Sequence, residues 1–376
     1  MTRFIWRNFG KAVRLHGKYG EPIMDLKFYE GKKVFITGHT GFKGSWLCRM
    51  LVHAGADVTG YALTPPVHPN LFELSDVQDK ITSVVGDIRN LSDLLAAFTK
   101  AQPEIVFHLA AQAIVRESYK EPVYTYETNV LGTVNILECL RLTHCTKSFV
   151  NVTTDKVYKN NEWDWGYRET DVLNGFDPYS NNKSCSELVT SGYKNSFFMD
   201  GHVAISTARA GNVIGGGDFA LDRIIPDCVR AAEKNETILV RNPYSTRPYQ
   251  HVLEPLCLYL AIAEKQLGNP EYADNYNIGP EDSDCVTTGR LVDIFVRKWQ
   301  NGLSWRNISV DGPHEANFLK LDCSKIRNRF GWKPRWNLET AIGKTVEWAK
   351  VYYGNGNIPE CMDSQIAAFL ERNCNV

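Results

Sequence analysis

The sequence predicts an α/β fold: a doubly wound parallel sheet joined to a smaller, mixed α/β unit. Two observations predict it. From Lys32 to about Val213, six short apolar runs rich in β-branched residues alternate with longer helical stretches, the pattern of successive βαβ units. Beyond Ala210 that rhythm loosens into glycine-rich and shorter segments, too little for a second wound sheet.

The strands expected are 33–38, 57–63, 81–87, 104–110, 147–154 and 202–209, nearly continuous in apolar residues as parallel strands buried on both faces are. Helices near 43–54, 91–101, 124–143 and 180–197 supply the crossovers. Then come a helix near 225–234, a short strand within 236–242, and a strand passing into a helix over 251–265. Later short elements are DNYNIGP, the helix TGRLVDIFVRKWQ, the strand NISVD and a last helix, NLETAIGKTVEWAKVYY. The first 23 residues carry three Arg and two Lys against one Glu and look unlike the rest of the chain. They lack the apolar core and small-residue cleavage site of a secretory leader, so a poorly ordered extension is expected, with Met24 just before the first folded unit.

With 376 residues the chain has ample length for a full core, and a formal charge of −1 gives no reason to expect nucleic acid as a partner. Ten cysteines stand singly, with no C-x-x-C spacing, which argues for reduced thiols in a cytoplasmic setting and against a metal site. No run approaches the ~18 consecutive apolar residues of a membrane span.

After the first strand comes Gly38-His39-Thr40-Gly41-Phe42-Lys43-Gly44, a G-x-x-G-x-x-G loop that opens a helix. Such glycines let the backbone turn tightly against a pyrophosphate, while free amides at the helix start face its charge. The second strand ends Tyr61-Ala62-Leu63-Thr64, with neither the acid that would bind ribose hydroxyls nor an Arg for a 2'-phosphate. These residues alone leave NAD against NADP open. Asp87-Ile88, after the third strand, is placed to meet the adenine edge, a simple turn Asp being the competing reading.

Tyr179 and Lys183 form a Y-x-x-x-K pair, and Pro178 favours a helix starting there. Positions i and i+4 share a helix face, so an ammonium beside the phenol would stabilise phenolate, a base able to take a sugar hydroxyl proton. The fifth strand ends Thr153-Thr154-Asp155-Lys156, where parallel strands converge on the ligand crevice. An exposed turn pair is the alternative for Asp155-Lys156. The aromatic cluster Trp163, Trp165 and Tyr167 is either a lid over the cleft or packing.

On these motifs, with FHLAAQ (107–112), DPYSNNK (177–183), ARAGNVIGGGD (208–218) and RNPYSTRPYQHVLEP (241–255), the chain resembles the extended short-chain dehydrogenase/reductase family, and within it the nucleotide-sugar 4,6-dehydratases that take CDP-glucose. The resemblance covers about 25–350. It implies a Rossmann-type domain over 25–215 plus about 247–268, and a substrate-binding domain over about 216–246 plus 269–376, with 1–24 as the extension. NAD is the implied cofactor, with Gly38, Thr40, Gly41, Phe42, Lys43, Gly44, Asp87, Ile88, Leu109, Ala110, Ala111, Gln112, Asn129, Tyr179, Lys183 and Arg209 around it. Asn212, Arg223, Arg247 and His251 would bind substrate, with His314-Glu315 as further candidates.

The implied reaction is redox-neutral. Tyr179 assists C4 oxidation, a base takes the C5 proton, an acid protonates the departing C6 hydroxyl, and hydride returns to C6. Asp155 would be the acid and Thr154 a donor to the C4 oxygen. Lys156 stands where dTDP-glucose relatives carry Glu, and is either the C5 base or a structural lysine. A 4-epimerase, a dehydratase of another nucleotide sugar and a dinucleotide-sensing module are the competing functions, and a homodimer or higher homo-oligomer is implied.

Overall fold

A computed structural model describes residues 14–16, 22–308 and 317–371. The main sheet is parallel and has seven strands: β1 Lys33–Thr37, β2 Asp57–Ala62, β3 Thr82–Val85, β4 Ile105–His108, β5 Ser148–Thr154, β6 Ala204–Ala210 and β9 Asn275–Ile278. Their order across the sheet is β9-β6-β5-β4-β1-β2-β3. The order reverses between β1 and β4, so the crevice at their carboxyl ends is the ligand site this topology builds.

Side chains alternate across the sheet with the two-residue period of a strand. Val34, Ile36, Ile105, Phe107, Val150 and Val152 face helix α1 (Phe42–His53) and helix α5 (Leu253–Gly268). Phe35, Val106, Phe149 and Ile205 face α2 (Leu91–Ala101), α3 (Gly132–Thr143) and α4 (Pro178–Phe197). With helices on both sides, β5 and β6 are buried along all seven residues. At the start of α4, Asp177 caps the helix by accepting from Ser180 N at 2.9 Å and Pro178 fills the first turn, which fixes where Tyr179 stands.

The smaller unit has its own core, built by the helices Ile224–Glu233, Thr288–Trp299 and Leu338–Tyr353 around Ile225, Val240, Phe295 and Ile342. Its strands β7 (Asn212–Ile214), β8 (Thr246–His251) and β10 (Cys285–Thr287) form one small sheet with β8 central. Ile238–Val240 pairs in parallel with Trp305–Asn307.

Three expectations are corrected. The main sheet has a seventh strand: DNYNIGP, read as part of the smaller unit, supplies β9, which pairs with β6 from Asn275↔Thr207 to Ile278↔Ala210. Four residues at a sheet edge are too short to show a period. The helix expected over 124–143 is broken into Pro122–Tyr126, a π-turn over Glu127–Leu131 and α3, with Val115–Lys120 before it. Where it is described, the segment expected to be a loose extension is ordered: Ile23 and Met24 are buried, and Pro22–Asp25 pairs with Arg14–His16. The rest of 1–21 lies outside the described residues.

A final helix, Ile358–Leu370, had no expected counterpart. It is pinned to α1 where Arg49 donates to both oxygens of buried Asp363, Nε to Oδ1 at 2.5 Å and Nη2 to Oδ2 at 2.6 Å. Among the described residues no helix is long and apolar enough to cross a membrane.

Candidate active site

One cleft of about 1140 Å³ runs along the carboxyl ends of β1, β2, β4 and β5 and on between the two units. The glycine loop forms one end. Gly38 sits at φ +77°, and a Cβ there would stand 2.7 Å from the Ala110 amide nitrogen, so only glycine fits. Its carbonyl accepts the Gly41 amide at 3.2 Å, which turns the chain into α1. A Cβ on Gly44 would meet that same carbonyl at 2.3 Å, so the helix start lies directly on the loop. Gly38, Thr40, Gly41, Phe42, Lys43, Gly44, Asp87, Ile88 and the run Leu109, Ala110, Ala111, Gln112 all line the cleft. A bare backbone facing a cavity at a helix N-terminus fits a dinucleotide pyrophosphate. Asp87 is held below the usual carboxylate range by its hydrogen bonds from Arg89. Burial lowers Lys43 to about 7, with Arg223 and Lys183 adding repulsion.

Tyr179 and Lys183 lie on the cleft side of α4. Burial pushes the Tyr179 phenol up to about 12, while a hydrogen bond with Thr154 and the charge of Arg223 favour phenolate. Lys183 stands one turn on and donates from Nζ to the Val152 carbonyl at 3.3 Å, and burial lowers it to about 8. The groups that favour phenolate are thus Thr154 and Arg223, where the spacing had pointed to Lys183.

Thr154, Asp155 and Lys156 also line the cleft. Thr154 Oγ1 donates to Asp155 Oδ1 at 3.0 Å, and Asp155 Oδ2 is buried without a hydrogen-bond partner. Desolvation raises the Asp155 carboxyl, with Lys156, Thr154, Arg247 and Lys43 pulling the other way. Asn212, Arg223 and Arg247 line the continuing cleft in the smaller unit. Arg223 is bridged to Asp218 at 3.0 Å.

Three expected site residues do not reach the cleft. Arg209 is buried behind β6, donating to Tyr158 Oη at 2.8 Å, Glu187 Oε2 at 2.9 Å and the Glu169 carbonyl at 3.0 Å. It is a structural cation: strand alternation turns it away from the ligand side. Asn129 is buried in the π-turn and acts through Gln112, accepting from its amide and donating to its carbonyl, each at 2.9 Å. His251 is fully buried between Trp46 and Trp336 and accepts from Leu253 N, with burial lowering it to about 3. His314 and Glu315 lie outside the described residues.

The aromatic cluster is packing: Trp163 rests on Trp165 and Tyr167, and Tyr167 stacks on Tyr158 at 5.3 Å. Between Val157 and Tyr179 the residues that line the cleft are Tyr158, Asn160, Asn161, Glu162, Phe176 and Asp177. Sequence reasoning missed these, along with Arg116, Asp218, Asp227 and Arg241. Among the latter, two carried a signal: Arg241 stands six residues before Arg247 in one motif, and Asp218 six after Asn212 in another. Among the described residues no cluster of His, Cys, Asp or Glu is arranged to hold a metal ion.

The chain is similar to known proteins along most of its length. The family described as GDP-mannose 4,6 dehydratase matches residues 35–345. A CDP-glucose 4,6-dehydratase of Salmonella typhimurium is 46% identical over 354 residues, covering 93% of this chain and 99% of that protein. A dTDP-glucose 4,6-dehydratase of Shigella flexneri is 27% identical, over 91% and 98% of the two chains. Among solved structures, a Streptomyces venezuelae dTDP-glucose 4,6-dehydratase with NAD and TYD bound superposes with a TM-score of 0.74 at 23% identity, covering 86% of this chain and 98% of that one. With a family match across most of the chain and a relative at 46% identity over nearly all of both proteins, this chain belongs to the GDP-mannose 4,6 dehydratase family.

Proposed function

We propose that the chain is an NAD-dependent 4,6-dehydratase that converts CDP-glucose to CDP-4-keto-6-deoxyglucose and water. One observation carries this reading: two acid-base pairs, Tyr179 with Lys183 and Asp155 with Lys156, line a single cleft on either side of Thr154. A 4-epimerase needs only the first pair. The cytidine assignment draws on the 46% identical relative, which carries that substrate in its name.

The amides at Gly38, Gly41 and Gly44 would hold the NAD pyrophosphate, Asp87 and Ile88 the adenine, and Leu109 to Gln112 one wall. Held there, NAD supplies a hydride acceptor for sugar C4 and the hydride donor for C6. Tyr179 takes the C4 hydroxyl proton, helped by Thr154 and Arg223. Thr154 donates to the C4 oxygen as the ketone forms, and that ketone acidifies C5. Lys156 removes the C5 proton. Asp155, whose carboxyl burial biases toward the protonated form, gives its proton to the departing C6 hydroxyl. Asn212, Arg223 and Arg247 bind the substrate diphosphate.

The test is incubation of the purified protein with CDP-, dTDP-, UDP- and GDP-hexoses and mass analysis of the products. Loss of one water from the CDP-hexose supports the reading. Mass-neutral isomerisation would refute it in favour of an epimerase, and tight NAD binding with no turnover in favour of a sensing module.

We also propose a homo-oligomer. Val123, Leu131, Leu142, Leu188 and Phe197 are exposed apolar side chains on and between α3, α4 and the helix before them, a surface that a second copy would cover. A cytoplasmic location accords with nine described cysteines that are all free thiols.

A further inference from the structure

Beyond Arg223 and Arg247 the cleft continues between the helix Ile224–Glu233 and the strand Ile238–Val240. Ile224, Ile225, Pro226, Leu239 and Val240 make this end apolar. Charged side chains interrupt it: Asp227 in the first helical turn, Arg241 just after the strand, and Asp222 beside Arg241. One Arg241 guanidinium nitrogen lies 3.7 Å from Asp227 Oδ2, and the other donates to Asp222 Oδ1 at 2.6 Å. Arg230 holds Asp227 Oδ1 from the far side, which leaves Oδ2 facing Arg241. Both Arg241 and Asp227 keep about a third of their side chains exposed, 30% and 33%, and both line the cleft.

The reaction chemistry gives this pair no task. With the sugar at Tyr179 and the diphosphate on Arg223 and Arg247, the base must enter the apolar end where the pair stands. A flat, weakly polar ring suits such walls, and its edge then meets one acceptor and one fork of donors, side by side.

Resting on the CDP-glucose reading above, we propose that Asp227 and Arg241 select cytosine: Asp227 accepts from the N4 amino group while Arg241 donates to N3 and O2. The order of donor and acceptor along the edge decides the choice. Uracil and thymine turn an O4 lone pair toward the carboxylate and an N3–H toward the guanidinium, so both contacts become repulsive and two part-buried charges lose their partners. Carboxylates accepting from cytosine N4 and guanidinium forks on base acceptors are recurrent pairings in base recognition, and each matched contact discriminates about tenfold or more. Asp222, at φ +60° between Arg241 and Arg116 on the cleft wall, is a positioning residue that holds the fork.

The experiment measures binding of CDP and UDP to the holoenzyme by isothermal titration, with kcat and KM for CDP-glucose and UDP-glucose alongside. The wild type is expected to prefer CDP by at least about tenfold. Asp227→Asn, close in shape, offers an amide N–H to O4 and is expected to cut that preference tenfold or more, the change falling on KM. Arg241→Gln is expected to do the same, and Arg241→Lys, which keeps the charge but loses the fork, to lie between. Equal or reversed preference in the wild type, or a preference kept within twofold in every folded variant, overturns the proposal. Selective CDP binding that the variants abolish, without dehydration of any hexose, overturns the dehydratase reading and leaves the base assignment standing.

Discussion

Gly44→Ala tests the dinucleotide site most directly, because the structure sets the size of the disturbance. A Cβ on Gly44 would lie 2.3 Å from the Gly38 carbonyl oxygen and 2.7 Å from His39 Cα, where ordinary contact starts at 3.4 Å. Both neighbours are backbone, so no flexible side chain can yield. The helix start must withdraw from the loop by about 1 Å, an overpacking expected to lower stability by about 1–3 kcal/mol. The carbonyl in question also accepts the Gly41 amide, so the same shift spoils the turn that aims free amides into the cleft. A displacement of that size in a positioning element can weaken function by about a hundredfold, and NAD affinity is expected to fall by between about ten- and a hundredfold. NAD titration by tryptophan fluorescence and a thermal melt read the two effects separately. Gly343→Ala is the control: nothing lies within 4 Å of its added methyl, and a helical alanine should be neutral or stabilising by about 0.5–1 kcal/mol. A Gly44→Ala protein that binds NAD within twofold of wild type at an unchanged Tm would refute the packing account of the loop.

Lys156→Met should still oxidise C4, seen as slow build-up of reduced dinucleotide, but show no C5 proton exchange in deuterated solvent; undiminished exchange would remove Lys156 from the base role. Lys183 is lowered to about 8 by burial, so below that pH the fold carries a desolvated charge that the unfolded chain hydrates freely. From about pH 8 to its unfolded value near 10.5 the unfolded state binds the extra proton, and stability rises with pH by at most about 3 kcal/mol from this group. Lys183→Met should therefore gain stability over wild type at pH 7, with the gain shrinking by pH 10 in paired denaturant melts, even as turnover falls; a pH-independent difference would contradict the burial argument. Asp363→Ala strands the buried Arg49 guanidinium and is expected to cost about 3–5 kcal/mol in thermal or chemical unfolding. A loss under about 1 kcal/mol would show that the C-terminal helix docks without that pair.

Most of the sheet was legible because its central strands are buried on both faces and read as largely apolar or small runs, β5 and β6 among them. β9 was not, since Asn275–Ile278 alternates asparagine with apolar residues and gains its place only by pairing with β6. That Thr154, Asp155, Lys156, Tyr179 and Lys183 reach one cleft was legible from their position at strand and helix ends. Arg209 was misread because strand alternation turns it away from the side of Ala210, which lines the cleft. His251 shares a face of β8 with Arg247 and Tyr249, but at the strand's last residue Trp46 and Trp336 enclose it. Glu187, which receives Arg209 and also accepts from Thr153 and from Thr207 at 2.7 Å, lies two turns along α4 with nothing in its spacing to announce that network. Of the charged lining of the smaller unit, Asp218 and Arg241 stand on loops whose course no local pattern sets, and Asp227 on a helix whose facing strand the sequence does not specify.

Local backbone course likewise explains how three consecutive residues reach one cleft. Had β5 continued as a strand, Thr154 and Lys156 would share a face and Asp155 would point to the other. Instead the strand stops at Thr154, whose side chain accepts from the Lys156 amide at 3.4 Å and caps a short 3-10 turn over Asp155–Val157. That turn brings Thr154, Asp155 and Lys156 to the cleft together, Thr154 against the Tyr179 phenol and Asp155 with one buried oxygen left unpaired. A fold of this kind already presents a Tyr and a Lys to the hydride chemistry. With the roles proposed above, what separates elimination from simple oxidation and reduction is a turn of three residues, and a substitution that lets β5 run straight should leave C4 oxidation in place while abolishing water loss, read as reduced dinucleotide formed without the mass loss of one water.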